Sequence, residues 1–207
     1  MGKVLKKIKR LLVIILVKAI YLWGCIWYDK NYLQGKYFSR RHFSKGWIWI
    51  LQYWFPQKVM GNNKEIPFPV PAHMLIANPR KLIFDLDDMQ NFHTVGCYFQ
   101  CHGGTITIGK GSFIAPGVGI ITANHDLNNL EKNESGEEVI IGERSWIGMN
   151  AVILPGVILG NHTIVGAGSV VTKSFPDGNC VVAGNPARII KKITGDEKQE
   201  GIDAKEE

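Results

Sequence analysis

Acidic residues are nearly missing from the first 58 positions, where twelve Lys and Arg stand against the single Asp29. That stretch carries a net charge of +11, while the rest of the 207-residue chain, with twelve basic and seventeen acidic residues, carries −5. The split excludes a nucleic-acid face spread over the whole fold, because the positive charge sits on an apolar, aromatic segment. Cysteine is sparse too. Cys25, Cys97, Cys101 and Cys180 offer neither a CxxC pair nor the spacing of a secreted disulfide framework, which points to reduced thiols in a cytosolic compartment. Cys97 and Cys101 have no second Cys or His pair to complete four ligands, so no metal site is expected and the two thiols read as packing. No small-x-small site follows the first apolar run, so the basic start is not expected to act as a cleaved signal peptide.

What the N-terminus does hold is Lys3, Lys6, Lys7, Lys9 and Arg10, followed by an apolar run from Leu11 to Tyr28 broken only by Lys18. Those 18 residues stand at the lower limit for a membrane span. A central lysine in such a span costs about 2.5–3.5 kcal/mol, whereas a helix lying in the interface lets its ammonium reach water along the aliphatic stem. Trp23, Trp27 and Tyr28, then Trp47, Trp49, Tyr53, Trp54 and Phe55, are amphipathic aromatics of the kind that collect at headgroup level. Residues 1–65 are therefore expected to form a membrane-associated segment of two short interfacial elements, with 1–58 meeting an anionic membrane surface. A spanning anchor and packing between subunits of an oligomer are the alternatives.

Downstream, aliphatic residues recur every sixth position: Ile141, Ile147, Ile153, Leu159, Val165 and Val171 open the hexads IGERSW, IGMNAV, ILPGVI, LGNHTI, VGAGSV and VTKSFP. An earlier block reads IGKGSF from Ile108, IAPGVG from Ile114 and then ITANHD. Neither a helix nor a hairpin has this period. A chain that makes a short strand and a turn every six residues can stack coil on coil, burying one aliphatic per face and pairing strands about 4.8 Å apart, which predicts a coiled β-helix. A small residue beside each aliphatic lets the turn close. The β-helix domain is expected over 66–192. The Pro-rich stretch from Ile66 to Pro71 leads into it, Leu75 to Phe84 forms an irregular opening coil, and the polar run 127–139 protrudes as a loop. Residues 193–207, rich in acids, read as a disordered tail.

The strings ITIGKGSFIAPGVGIITANHD, VIIGERSWIGMNAVILPGVILGNHTIVGAGSVVTK and AGNPARII resemble the sugar and xenobiotic O-acetyltransferases of the hexapeptide family. Within it they look most like the acetyltransferases encoded with polysaccharide biosynthesis, over Ile106 to Lys192. The resemblance implies a mainly β fold, a left-handed triangular parallel β-helix with the hydrophobic N-terminal helical segment appended. It also implies a homotrimer with sites between neighbouring subunits, acetyl-CoA along the groove as donor, and a sugar or lipid-linked glycan as acceptor.

A sugar hydroxyl is a weak nucleophile at neutral pH, so acyl transfer from a thioester needs a base to take its proton. His125, where the loop leaves the coil, aligns with the family's catalytic histidine. No Cys or Ser stands beside it in sequence, which favours direct attack over a covalent acyl-enzyme. By the same resemblance Trp146 forms an aromatic wall near donor and acceptor, and Met149, Ala167 and Thr172 meet the pantetheine arm. Lys173, Arg188 and Lys191 face the CoA phosphates, which attract guanidinium forks and ammonium point charges. Asn185 and Pro186 shape the exit turn that carries Arg188. Galactoside-type members hold their sugar with an asparagine and an acid upstream of the histidine. Val95 and Gly103 stand there in this chain, which argues against a simple galactoside. Gln100, His102 and Asp126 are polar candidates near the site. These residues together imply an acetyl-CoA-dependent O-acetyltransferase acting on a glycan or glycan precursor in the cytoplasm, at the inner face of the membrane. A xenobiotic acceptor and a non-catalytic β-helix scaffold are the alternatives. A β-helical carbonic anhydrase would need three metal-binding histidines, two of them close together, a pattern absent around His125.

Overall fold

The computed structural model describes residues 2–194, so all of the expected disordered tail beyond Thr194 lies outside the described residues. From Leu75 onward the chain winds through short strands that visit three sheets in rotation, a β-helix with three faces. Face A stacks Leu75–Ile76, Tyr98–Gln100, Gly119–Ile121, Val152–Ile153 and Val170–Val171. Face B stacks Leu82–Phe84, Ile106–Ile108, Val139–Ile141 and Ile158–Leu159. Face C stacks Phe113–Ile114, Trp146–Ile147, Thr163–Val165 and Cys180–Gly184, all parallel, and Ala187–Lys192 closes it antiparallel.

The six-residue aliphatics explain the register. Ile76, Phe99, Ile120, Ile153 and Val171 pair in one column. Ile108, Ile141 and Leu159 form a second, and Ile114, Ile147, Val165 and Val182 a third. Every one of them is buried. Each contributes about 1.5–3 kcal/mol through its removal from water, which makes the columns the main source of stability in the coils. One register differs from the sequence. The third hexad opens on Ile120, six positions after Ile114, and the half-buried Ile121 turns outward; the unit is IITANH, not ITANHD.

The upstream breakdown of the period has a physical cause. Where a first face C strand would lie, Leu86–His93 forms a 3-10 segment instead. Its side chains do the work of the missing backbone. Asn91 Nδ2 donates to Ser112 O at 2.9 Å and Asn91 Oδ1 accepts from Ile114 N at 3.0 Å, while Asp88 Oδ2 accepts from Gly111 N at 2.6 Å. A buried strand edge is thereby satisfied without another strand.

The N-terminal segment forms two helices, the first of them longer than the sequence suggested. A single helix, α1, runs over Gly2–Trp27, so the basic cluster lies on the helix and not before it. The second helix, α2, spans Lys45–Trp54. Trp47 of α2 is fully buried and Trp49 stacks on His93, so these two aromatics belong to the core and not to a headgroup layer. The helices approach closely at Gly24, where a Cβ would meet Ile50 Cδ1 at 2.8 Å and push that side chain aside. The buried Gln57 ties the segment to the chain that follows: it accepts from Tyr28 Oη at 3.1 Å and Val70 N at 3.1 Å and donates to Phe68 O at 3.0 Å. Aromatic contacts then run Phe68 to Phe92 to Phe99 into the coils. No break in the core falls at position 65; the helices and the coils share one hydrophobic cluster.

Candidate active site

The polar excursion begins at the corner between faces A and B. His125–Asp126 pairs antiparallel with Asn129–Asn133, so the segment expected as a loop over 127–139 starts as a β-hairpin that already includes His125. It ends earlier than expected. Val139 is buried and opens a face B strand, because it is the first aliphatic able to rejoin the column.

Four interactions fix the hairpin. Gln100 Oε1 accepts from Thr122 N at 3.0 Å and Ala123 N at 3.1 Å, and its Nε2 donates to Ala123 O at 3.1 Å. Glu134 N donates to Asn124 O at 2.9 Å across the neck. The backbone two residues before His125 is therefore held by one amide side chain, and the His125 ring is left exposed. Asp126 is structural: its Oδ1 accepts from Asn128 N at 2.7 Å and closes the hairpin tip. His102 is exposed, and its carbonyl, with that of Gly103, accepts from Lys81 Nζ at 3.0 Å.

At Gly103 the structure leaves no room for a side chain. A Cβ at Gly103 would collide with the backbone of Gly136, and one at Gly136 would collide with Gly103. The returning arm of the hairpin crosses so close to the preceding coil that neither position admits a side chain. Val95 is exposed at the opposite corner, between faces C and A, where its carbonyl accepts from Gly117 N at 2.9 Å.

The residues assigned to the donor fall into separate groups. Thr172 and Lys173 follow the face A strand Val170–Val171 and lie on the same corner as His125, two coils on. Trp146 points outward from face C beside Phe113, with 53% and 58% of their surfaces exposed. Met149 and Ala167 stack at the corner between faces C and A, where Gly168 N donates to Met149 O at 2.7 Å. Within one chain, face A separates this second group from His125. Arg188 and Lys191 lie on the last strand, and Arg188 Nη1 donates to Ala187 O at 2.9 Å. Asn185–Pro186 is a cis peptide at the turn into that strand.

Lys192 was not singled out by sequence, yet it lines a cleft of about 470 Å³ together with Lys173, Phe175, Asn179 and Ile189. The run of basic residues in the last strand was the available signal; which of them faces Lys173 depends on the strand's bulge between Val181 and Val182. The thiols of Cys97 and Cys101 donate to Ala115 O and Phe99 O, and burial pushes that of Cys101 up to about 11. Among the described residues no group of three or more His, Cys, Asp or Glu side chains is arranged to hold a metal.

Residues 138–173, the coils immediately after the hairpin, match the family model described as bacterial transferase hexapeptide (six repeats). Its six-residue repeats are what this chain shares with that family. A Saccharomyces cerevisiae protein assigned as an acetyltransferase is 44% identical to this hexapeptide-repeat chain over 95 residues, 44% of this chain and 48% of the relative. A maltose O-acetyltransferase from Clostridium difficile 630 is 42% identical, covering 47% of this chain and 53% of that one with a TM-score of 0.44. A hexapeptide-repeat acetyltransferase from Vibrio cholerae, solved with acetyl coenzyme A, is 32% identical over 48% of this chain and 55% of its own, with a TM-score of 0.43. The chain spans about half the length of the relatives it matches.

Proposed function

We propose that this hexapeptide-repeat chain is an acetyl-CoA-dependent O-acetyltransferase that modifies a hydroxyl of a glycan or glycan precursor, with His125 as general base. The observation that carries this is the Gln100-anchored hairpin neck, which presents an exposed imidazole on the corner shared with Thr172 and Lys173. His125 takes the proton of the acceptor hydroxyl as its oxygen attacks the thioester carbonyl, and an oxyanion forms. The oxyanion then collapses and expels the CoA sulfur, which recovers the proton from the imidazolium. Direct transfer is favoured over an acyl-enzyme, since no Cys or Ser stands beside His125 in the sequence.

Trp146, Met149 and Ala167 lie a face away from His125, so a second copy must supply their corner. That separation supports a homotrimer of left-handed β-helices with sites between subunits. Lys173, Arg188, Lys191 and Lys192 offer charge for the pyrophosphate and 3′-phosphate of CoA. The exclusion of an acid at Gly103 supports an acceptor other than a simple galactoside. The enzyme works in the cytoplasm, at the inner face of the membrane. The test is transfer of labelled acetyl from acetyl-CoA to a panel of sugars, nucleotide sugars and membrane glycolipids. An acetyl ester on one sugar class is expected; a folded protein that neither binds acetyl-CoA nor acetylates any of the panel refutes the proposal.

A further inference from the structure

The outer half of α1 has almost no partner in the fold. Residues 4–12 are exposed without exception, and the buried positions begin at Val17. At about 100° per residue the exposed aliphatics gather on one side. Leu5, Ile8, Leu12, Ile15, Leu22 and Ile26, each 49–70% exposed, fall within an arc of about 100°. Lys6, Lys7, Lys9 and Arg10 occupy the remaining side, and α1 contains no acid. The apolar arc continues onto α2, because Ala19 and Trp23 share a surface hollow with Leu51 and Trp54.

We propose that this face of α1 and the adjoining edge of α2 dock the protein, monotopically, on the surface of an anionic phospholipid bilayer. This deepens the location given above, but it stands on the helices alone and needs no catalytic residue. Charge selects the occupant. An unbalanced basic flank beside a broad apolar arc suits a negatively charged headgroup layer, whereas a second copy would set like charges together with no acids to offset them. Packing selects the depth. α1 is long and apolar enough to cross a membrane. Crossing would also immerse what holds its inner half: the Arg40 guanidinium, 3.6 Å from the Tyr21 ring centroid, and Gln57, bonded to Tyr28. The arginine alone weighs against insertion on the order of a hundredfold. A helix lying in the interface leaves both in place and lets Lys18 reach water.

The experiment is flotation of the full chain with phosphatidylcholine vesicles, with and without 30% phosphatidylglycerol, in the absence of acetyl-CoA. Binding to the anionic vesicles is expected, reduced at high salt and by alkaline carbonate. Changing Lys6, Lys7, Lys9 and Arg10 to Gln is expected to weaken it by about fivefold per charge, on the order of several hundredfold in all. Leu12→Glu with Ile15→Glu is expected to abolish it; both positions are exposed, so circular dichroism and melting should match wild type. Equal binding to neutral vesicles, binding that survives both sets of changes, or retention after carbonate overturns the proposal. So does a fall in oligomeric state of the Glu variant without loss of flotation, which would assign the seam to another copy. Since no acetyl transfer is read, failure here leaves the catalytic assignment untouched, and failure of that assignment leaves this one standing.

Discussion

His93 should make the protein acid-sensitive by a calculable amount. Its ring stacks on Trp49, at 3.6 Å between centroids and 15° between planes, and on Tyr53 at 5.6 Å, and among the described residues neither ring nitrogen has a hydrogen-bond partner. Burial, and secondarily the neighbouring His73, push its pKa down to about 3 from the usual 6.5. The unfolded chain then gains a proton as pH drops below about 6.5, while the folded chain stays neutral until about 3. Stability is complete above pH 6.5 and is lost as pH falls through that window. At about 1.36 kcal/mol per unit, lowering the pH from 8 to 5 removes about 2 kcal/mol. Urea unfolding followed by tryptophan fluorescence at the two pH values, on wild type and His93→Phe, isolates this contribution from that of the carboxylates. The variant keeps the stacked ring and should lose about 2 kcal/mol less than wild type. At pH 8 it should be at least as stable, because two unpaired buried nitrogens are removed. Equal losses in both proteins would refute the reasoning.

Gln100→Ala removes four hydrogen bonds at Thr122 and Ala123 and should cost about 2–3 kcal/mol in a denaturant titration. It should also lower acetyl transfer at least about tenfold with little change in KM for acetyl-CoA; unchanged transfer would show that the clamp does not position His125. Gly103→Asp should displace the hairpin and abolish transfer while the far-UV spectrum of the coils persists. Full activity on a galactoside would contradict the collision with Gly136. Ile153→Ala, in the middle of the face A column, should cost about 2–5 kcal/mol, whereas Ile83→Ala, 56% exposed, should cost under about 1 kcal/mol. Lys173→Gln with Lys192→Gln should raise KM for acetyl-CoA about tenfold and spare kcat, since both line one cleft and Lys173 lies two coils on from His125.

The coils were legible because each aliphatic column is written locally. Ile141, Ile147 and Ile153 sit on three different faces, and the period alone assigns them. Where two aliphatics adjoin, as at Ile120 and Ile121, the period must be counted and the motif cannot be trusted. The segment from Leu86 to His93 was not legible, since its logic is long-range: Asp88 and Asn91 serve backbone groups more than twenty residues away. The buried place of Trp47 was hidden for the same reason, as a tryptophan suits a core and a headgroup layer equally in composition. At the candidate site, motif order nominates His125 and the basic residues. The anchoring role of Gln100 and the exclusion of a side chain at Gly103 depend on which coils stack, and only the folded register reveals them.

The most direct measurement compares wild type with His125→Asn in a CoA thiol-release assay against the acceptor panel, with acetyl-CoA affinity measured on both proteins. Loss of release by at least about a hundredfold, with acetyl-CoA still bound at wild-type affinity, is expected of a residue that acts as the base. Release that persists in the variant within a few-fold of wild type would contradict the assignment of His125 and, with it, the proposed mechanism.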